Sequence, residues 1–512
     1  MKIYTKILMV ISVLFFISCS DWLNVEQEGE IESESLFKSG DGYRVVLNGL
    51  YKAMGAPELY GRELSFGMVD CMSQQYDLSD EEANQSSIYK AFVDFKYKDN
   101  DVTTLIDNTW LAGFKVIANT NDLIQNISDA SADLFEFGEM ERDLIMGEAY
   151  ACRALMHFDL LRLFAPALVN DDQGTYVPYV EDYPNIHATS MQVKPFLDKV
   201  IADLLKAKSL VASFDTTEIG VKVNSTAAAR TSLSPDNFAY GDFFAGRVYR
   251  LSYYSITALL ARVYQYADKS EEAFACAKEV VEFGTQNGGA VFYKDDFTGI
   301  MSSKGDGIEA FDQRADYKAK SSIIFSAYNK KAYEQSDIQR YFKLSAQNWS
   351  NVYFVLDRVA LFNNRGMDEW EQDIRSSYMV FMALGNYPVS GKWFVNSTNP
   401  EQSEHLKMSP VIRLTEMKYI MAEYYAAKGL YDEAYKILDD IRSARNIEGK
   451  LTVRNNFSDF VMDLIGDARR EWISEGQLFY LYKRLDAPFM KNDESHKLTR
   501  AEASLPLPTD QK

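Results

Sequence analysis

A chain of 512 residues that is 47% hydrophobic and 25% charged can bury a full core, and its length leaves room for two to four domains. Its 74 acidic against 54 basic side chains give a net charge of -20. That balance argues against binding nucleic acid, which needs a basic face, and against electrostatic docking on an anionic bilayer. Four scattered histidines and four distant cysteines likewise argue against a zinc site and a disulfide scaffold.

Lys2 and Lys6 precede the apolar run Ile7 to Ile17, and Ser18-Cys19 follows. This is the layout of a secretory signal, and the run is shorter than the ~20 residues that span a bilayer. A cysteine directly after a small residue predicts removal of residues 1–18 and lipid attachment at Cys19. Each buried CH₂ of that lipid contributes about 0.8 kcal/mol, so several acyl chains hold a protein firmly at a membrane. An ordinary secretory signal with a chance cysteine is the alternative, and Phe16 stands where lipoprotein signals usually carry Leu. Residues 19–40 are acidic and short of apolar side chains, which predicts a flexible stalk.

From Asp41 the period becomes helical, with Val45 or Val46, Gly49 and Leu50, and Ala53 or Met54 on one face. Trp110, Phe114, Ile117 and Asn121 share a face expected to be buried. In "LIMGEAYACRALMHFDLLRLF", Ile145, Ala149, Cys152, Met156, Leu160 and Leu163 form one apolar stripe, with Glu148, Asp159 and Arg162 off it. His157 on this helix is expected to be packed or solvated, because a lone histidine lacks the partners of a ligand site. Cys152 and Cys276 read as small core hydrophobes.

Residues 258–284 and 419–444 repeat one pattern, with Ala261 over Ala422, Tyr264 over Tyr425, Glu272 over Glu433 and Ala273 over Ala434. Each is a helix, a polar turn and a second helix, like a tetratricopeptide unit that must stack on neighbours to bury its face. "LIDNTWLAGFKVIANTNDLIQNI" and "DKVIADLLKAKSLV" are the natural neighbours. Between about 284 and 410 the pattern breaks into loops, short strands and brief helices. The fold class is therefore mostly α: a tetratricopeptide-like helix-pair scaffold with an irregular, loop-rich region, the kind of segment that commonly carries function and is the candidate ligand-binding region.

The sequence has no zincin, nucleophile-elbow, dinucleotide, phosphate-loop or C-x-x-C motif, so no cofactor or catalytic metal is called for. Nothing singles out a glycosidase pair among 74 acids. Asp295 to Glu309 lacks calcium-loop spacing and reads as a turn-rich loop. The remaining candidates are aromatic residues in irregular segments: Tyr76 beside Asp77, Tyr293, Tyr328 and Trp349. A ring covers the apolar face of a sugar while a neighbouring amide or carboxylate takes paired hydroxyls. Each ring could instead cap the core.

The order of motifs resembles the SusD/RagB family along nearly the whole chain. "CSDWLNVEQEGEIESESLFKS" and "LNGLYKAM" are similar to its opening, and "EAYACRALMHFDLLRLF" to its hallmark helix, followed by "VPYV". "PVIRLTEMKYIMAEYYAAKGLYDEAYKILDDIRSARNI" is similar to its C-terminal helix pair. Arg469, Arg470, Glu471, Glu475, Gly476, Lys483 and Arg484 match its closing signature, with "LPLP" beyond. Leu478, Leu481 and Leu485 depart from it, standing where the family usually has Arg, Asp and Trp. An insertion follows Ala165-Pro166.

The resemblance implies four helix pairs in one domain, residues 41–512, with parts at 41–284, 285–410 and 411–512. It implies a lipoprotein on the outer face of the outer membrane and a SusC-like TonB-dependent barrel transporter as partner. The implied cargo is an oligosaccharide or, in some members, a peptide, with no catalysis. A lipid-anchored glycoside hydrolase and a purely structural module are the rivals from other classes.

Overall fold

Helix pairs supply the scaffold of the computed structural model. It describes residues 36–508 apart from 79–87, 186, 235–237, 286–288, 296–315, 333–337, 339–340, 343–353, 384–386, 396–403 and 492–493. Cys19 and Trp349 lie outside the described residues, as does most of the loop after Asp295. Helix α1 (Gly40–Met54) starts at Ser39, whose hydroxyl accepts the Gly42 N–H at 3.3 Å. Its buried face is Tyr43, Leu47, Leu50, Tyr51 and Met54. The expected face is thus rotated: two tyrosines take core positions while Val45 is 55% exposed and Gly49 faces out.

Helices α2 (Asn100–Ser128) and α3 (Gly138–Phe164) form the first hairpin, and α4 (Val193–Asp215) packs on α3. Trp110, Ile117 and Asn121 are buried as their spacing predicts, and Phe114 packs against the core. Helix α3 corrects its predicted one-sided stripe. From Gly147 to Phe164 every residue is buried, including Glu148, Asp159 and Arg162, because α2 and α4 both pack on it. Then come α5 (Tyr253–Tyr266) and α6 (Ser270–Val281), followed by α7 (Leu414–Ala427) and α8 (Tyr431–Ser443). Helix α5 lies on α4, and α6 on α7, so the hairpins stack in chain order. The aligned alanines 261, 273, 422 and 434 are buried where the paired helices approach. Helices α9 (Phe457–Glu471) and α10 (Leu478–Leu485) close the stack. Leu478 and Leu481 pack there with Phe460 and Trp472, filling the departures from the family signature with aliphatic contact.

The irregular region contributes β1 (Ile323–Tyr328), antiparallel to β2 (Met408–Arg413), with Tyr328 opposite Met408. Among the described residues no helix is long and apolar enough to cross a membrane.

Buried charge pairs lock these layers. Glu148 accepts from Tyr51 Oη at 2.6 Å, Arg247 Nη1 at 2.8 Å and Arg250 Nε at 2.9 Å. Burial alone would raise its pKa, but Arg250 and Arg247 hold its carboxyl below the usual range. Arg247 also bonds Asp215 at the end of α4 through Nε and Nη2, at 3.0 and 2.9 Å. A second lattice explains the closing signature. Glu471 accepts from Arg445 at 2.8 Å and Arg375 at 3.1 Å, and Glu475 pairs with Arg413 and Lys392. Gly476 N–H donates to Asp70 at 2.9 Å, and Lys483 Nζ donates to the Arg162 carbonyl at 2.6 Å.

His157 is a packed residue. Nδ1–H donates to the Arg153 carbonyl and Nε2 accepts the Val180 N–H, each at 2.9 Å. Burial pushes its imidazole down to about 3.

Two outcomes follow from these buried groups. Glu148→Ala leaves Arg247 and Arg250 without their shared carboxylate and lowers unfolding free energy by about 3–5 kcal/mol, measured by urea denaturation. For His157, the unfolded imidazole takes a proton near 6.5 and the folded one only near 3. Below pH 6.5 protons therefore favour the unfolded chain, and its share of stability falls by about 2 kcal/mol by pH 5. His157→Gln reduces that pH slope between 6.5 and 5, read from denaturation at each pH.

Candidate functional site

One face of α1 carries Arg44, Asn48, Tyr51 and Lys52, spaced to fall on adjacent turns. Opposite it, two short 3₁₀ turns, Asp242–Phe244 and Arg247–Tyr249, present Phe243 and Tyr249. Gly246 joins the turns at φ 62°, a left-handed conformation that favours glycine. The end of β1 brings Tyr328 and Asn329. Together these segments line a cleft of about 750 Å³, within the usual size of small-molecule sites.

The Tyr249 and Tyr328 rings lie 4.8 Å apart at 57°. Both are partly exposed. The guanidiniums of Arg250 and Arg44 sit over Phe243, 4.3 and 5.1 Å from its centroid. Arg44 is held by Glu141 at 2.7 Å, and Arg250 by Glu148 and by Asn48 Oδ1 at 3.0 Å. Glu148 thus fixes the cleft wall as well as the helix stack. The Tyr51 phenol, pushed well above its usual range by burial and by Glu148, stays a neutral donor to Glu148 while its oxygen accepts the Leu251 N–H at 2.8 Å.

The floor is a seam between α1 and β1. A Cβ on Gly55 would stand 2.4 Å from the Tyr328 carbonyl oxygen, so only glycine allows this approach. Asn329 Nδ2 donates across the seam to the Gly55 carbonyl at 3.2 Å. Lys52 and Lys330 are exposed on the rim, with no ion pair among the described residues. Asp242 accepts from Ser234 Oγ at 2.8 Å and is the one carboxylate lining the cleft among the described residues. Rings, amides and rim cations suit the holding of a polyhydroxylated molecule; a two-carboxylate hydrolysis lacks its second acid here.

Of the residues singled out by sequence, Tyr328 lies in this cleft. Tyr76 is corrected to a core residue, 3% exposed: its ring stacks on Phe354 at 4.5 Å and its hydroxyl donates to the Phe66 carbonyl at 3.0 Å. Tyr293 is likewise core, 3% exposed, with the Arg230 guanidinium 4.6 Å from its ring centroid. Asp77 is exposed, its N–H donating to the Val355 carbonyl at 2.8 Å, and it does not line the cleft. Asp295 pairs with Lys418 and Arg445. Phe243 and Tyr249 escaped sequence reasoning. Their signal was an aromatic cluster around two glycines, "GDFFAGRVY", just before a helix pair.

Residues 3–234 match a family model described as starch-binding, associating with the outer membrane. Residues 245–502 match that of the SusD family. SusD-like protein P2 of Formosa agariphila is 26% identical over 248 residues, 48% of this chain and 44% of that protein, so the match spans less than half of the relative's length. A SusD superfamily protein from Bacteroides thetaiotaomicron superposes with TM-score 0.64 at 19% identity, covering 92% of this chain and 97% of that one. A SusD-like carbohydrate binding protein from Bacteroides vulgatus gives 0.63 at 15% identity, covering 92% and 96%. At these identities the likeness is one of fold.

Proposed function

The chain belongs to the SusD family, and from that premise we propose that it captures oligosaccharides at the cell surface and hands them to a SusC-like TonB-dependent barrel transporter. The Tyr249–Tyr328 pair beside Phe243 is the observation that carries the reading. Two tilted, half-open rings offer flat apolar surface to the C–H faces of a sugar, while Asn48, Asn329 and the rim lysines reach its hydroxyls. The outer-membrane, starch-binding description of the matching family and the likeness to a carbohydrate binding protein from Bacteroides vulgatus support the same class of cargo.

Capture is favoured over hydrolysis because the described residues of the cleft lining bring one carboxylate where glycosidases use two. Asp77, exposed at the edge of a loop, remains a further contact for long chains. Cys19 is the proposed acylation point, and the segment after it is the proposed tether.

Calorimetry against panels of glycans and peptides tests the cargo. A glycan binds the native chain, and Tyr328→Ala weakens it about fivefold or more, the loss of ~1 kcal/mol of ring contact, with the melting temperature unchanged. Binding of peptides alone overturns the reading. Cys19→Ala abolishes incorporation of a labelled fatty acid and moves the protein from the membrane to the soluble fraction. Retention at the membrane overturns the anchor.

A further inference from the structure

Eleven arginines are buried among the described residues, and ten of them have a carboxylate within ion-pair distance. Arg230 is the exception. It sits in a single helical turn, Ala227–Thr231, at 1% exposure. Among the described residues its guanidinium donates only to carbonyls: Phe292 at 3.0 Å, Lys320 at 3.2 Å and Ser321 at 2.7 Å. Nε has no partner among the described residues. Burial pulls this guanidinium below the usual arginine range, with only the nearby Tyr293 phenol opposing the shift. Carbonyl dipoles solvate a cation, but they do not neutralise it, and a buried charge without a counter-ion is costly.

Arg230 lines a cavity of about 780 Å³ beside α5 and α6. Its walls are Tyr253, Tyr254, Phe283 and Phe292, with the hydroxyl residues Ser225 and Thr226 also lining it. Lys294 adds a second, exposed cation with no ion pair among the described residues. The lining carboxylate Glu279 is already engaged, by Lys208 at 3.0 Å and Tyr253 Oη at 3.1 Å. In a chain of net charge -20, this cavity is lined by two cationic side chains that have no ion pair among the described residues. No residue of the Tyr249–Tyr328 cleft lines it.

We propose that this cavity is a second saccharide subsite, selective for an acidic sugar whose oxyanion answers Arg230 and Lys294. The rings take the pyranose face and the hydroxyls of the lining take its polar edge. That the ligand is a saccharide rests on the capture reading above; that it is anionic rests on Arg230. The oxyanion is a uronate carboxylate or a sulfate ester, and the probes separate them.

Calorimetry on the full chain compares an oligogalacturonide, a neutral galacto-oligosaccharide of equal length and its sulfated form. The oligogalacturonide or the sulfated form binds, more weakly as salt rises. Arg230→Gln reduces that binding at least tenfold and leaves neutral binding at the first cleft unchanged. Tyr328→Ala has the reverse pattern. Lys294→Gln, at an exposed position that folding does not need, weakens the acidic ligand about threefold and decides the matter if Arg230→Gln fails to fold. Neutral and acidic oligomers binding alike, no binding of either acidic probe, or acidic binding unmoved by these substitutions overturns the subsite. Loss of neutral binding alone would instead remove the capture reading for the first cleft.

Discussion

Glu148 carries a charge where no solvent reaches, and it is tolerable only because two guanidiniums and a phenol converge on it. Its partners come from α1 and from the 247–250 segment, while Arg247 reaches on to Asp215 at the end of α4. Directional bonds of this kind fix the angle and depth of each element, which apolar contact alone leaves free to slide. The same arginine that satisfies Glu148 lies over Phe243 in the cleft, so the scaffold and the cleft wall are one electrostatic unit.

The C-terminal signature has the same logic. A sequence rich in Arg, Glu and Lys looks like a solvated surface, yet Arg470, Glu471, Glu475 and Lys483 are all buried. Each is paired across tens or hundreds of residues, Glu475 with Arg413 and Lys483 with the Arg162 carbonyl. Their role is to join the last helices to the irregular region and to α3.

Much of the scaffold was legible because helical period is local. The alanines at 261, 273, 422 and 434 announced close helix pairs, and the pairs formed. What stayed hidden depends on distant partners. Tyr76 stands in a polar stretch that reads as exposed, but its isolated bridge to Leu356 and its stacking on Phe354 enclose it. Tyr293 is closed in beside Arg230 in the same way. On α1, Tyr43 outcompetes Val45 for the core because its ring packs on Phe37 and Phe135, and its hydroxyl donates to Asn126. The cleft itself was half legible. Tyr328 was marked by its place at the end of a short apolar run, whereas Tyr249 gained its meaning only when β1 came to lie beside it.

The contact of Gly55 with the Tyr328 carbonyl has a mechanical side. Helix α1 is the first element of the described fold after the N-terminal segment, and it runs straight to that seam. A force applied at its head, near Ser39, travels along a rigid rod to the floor of the cleft. Any molecule seated there would bridge the end of α1 and the end of β1, which the Asn329–Gly55 hydrogen bond already joins. A pull on the N-terminal end of α1 and a molecule spanning the cleft would act on this same joint, one prying it open and the other holding it shut.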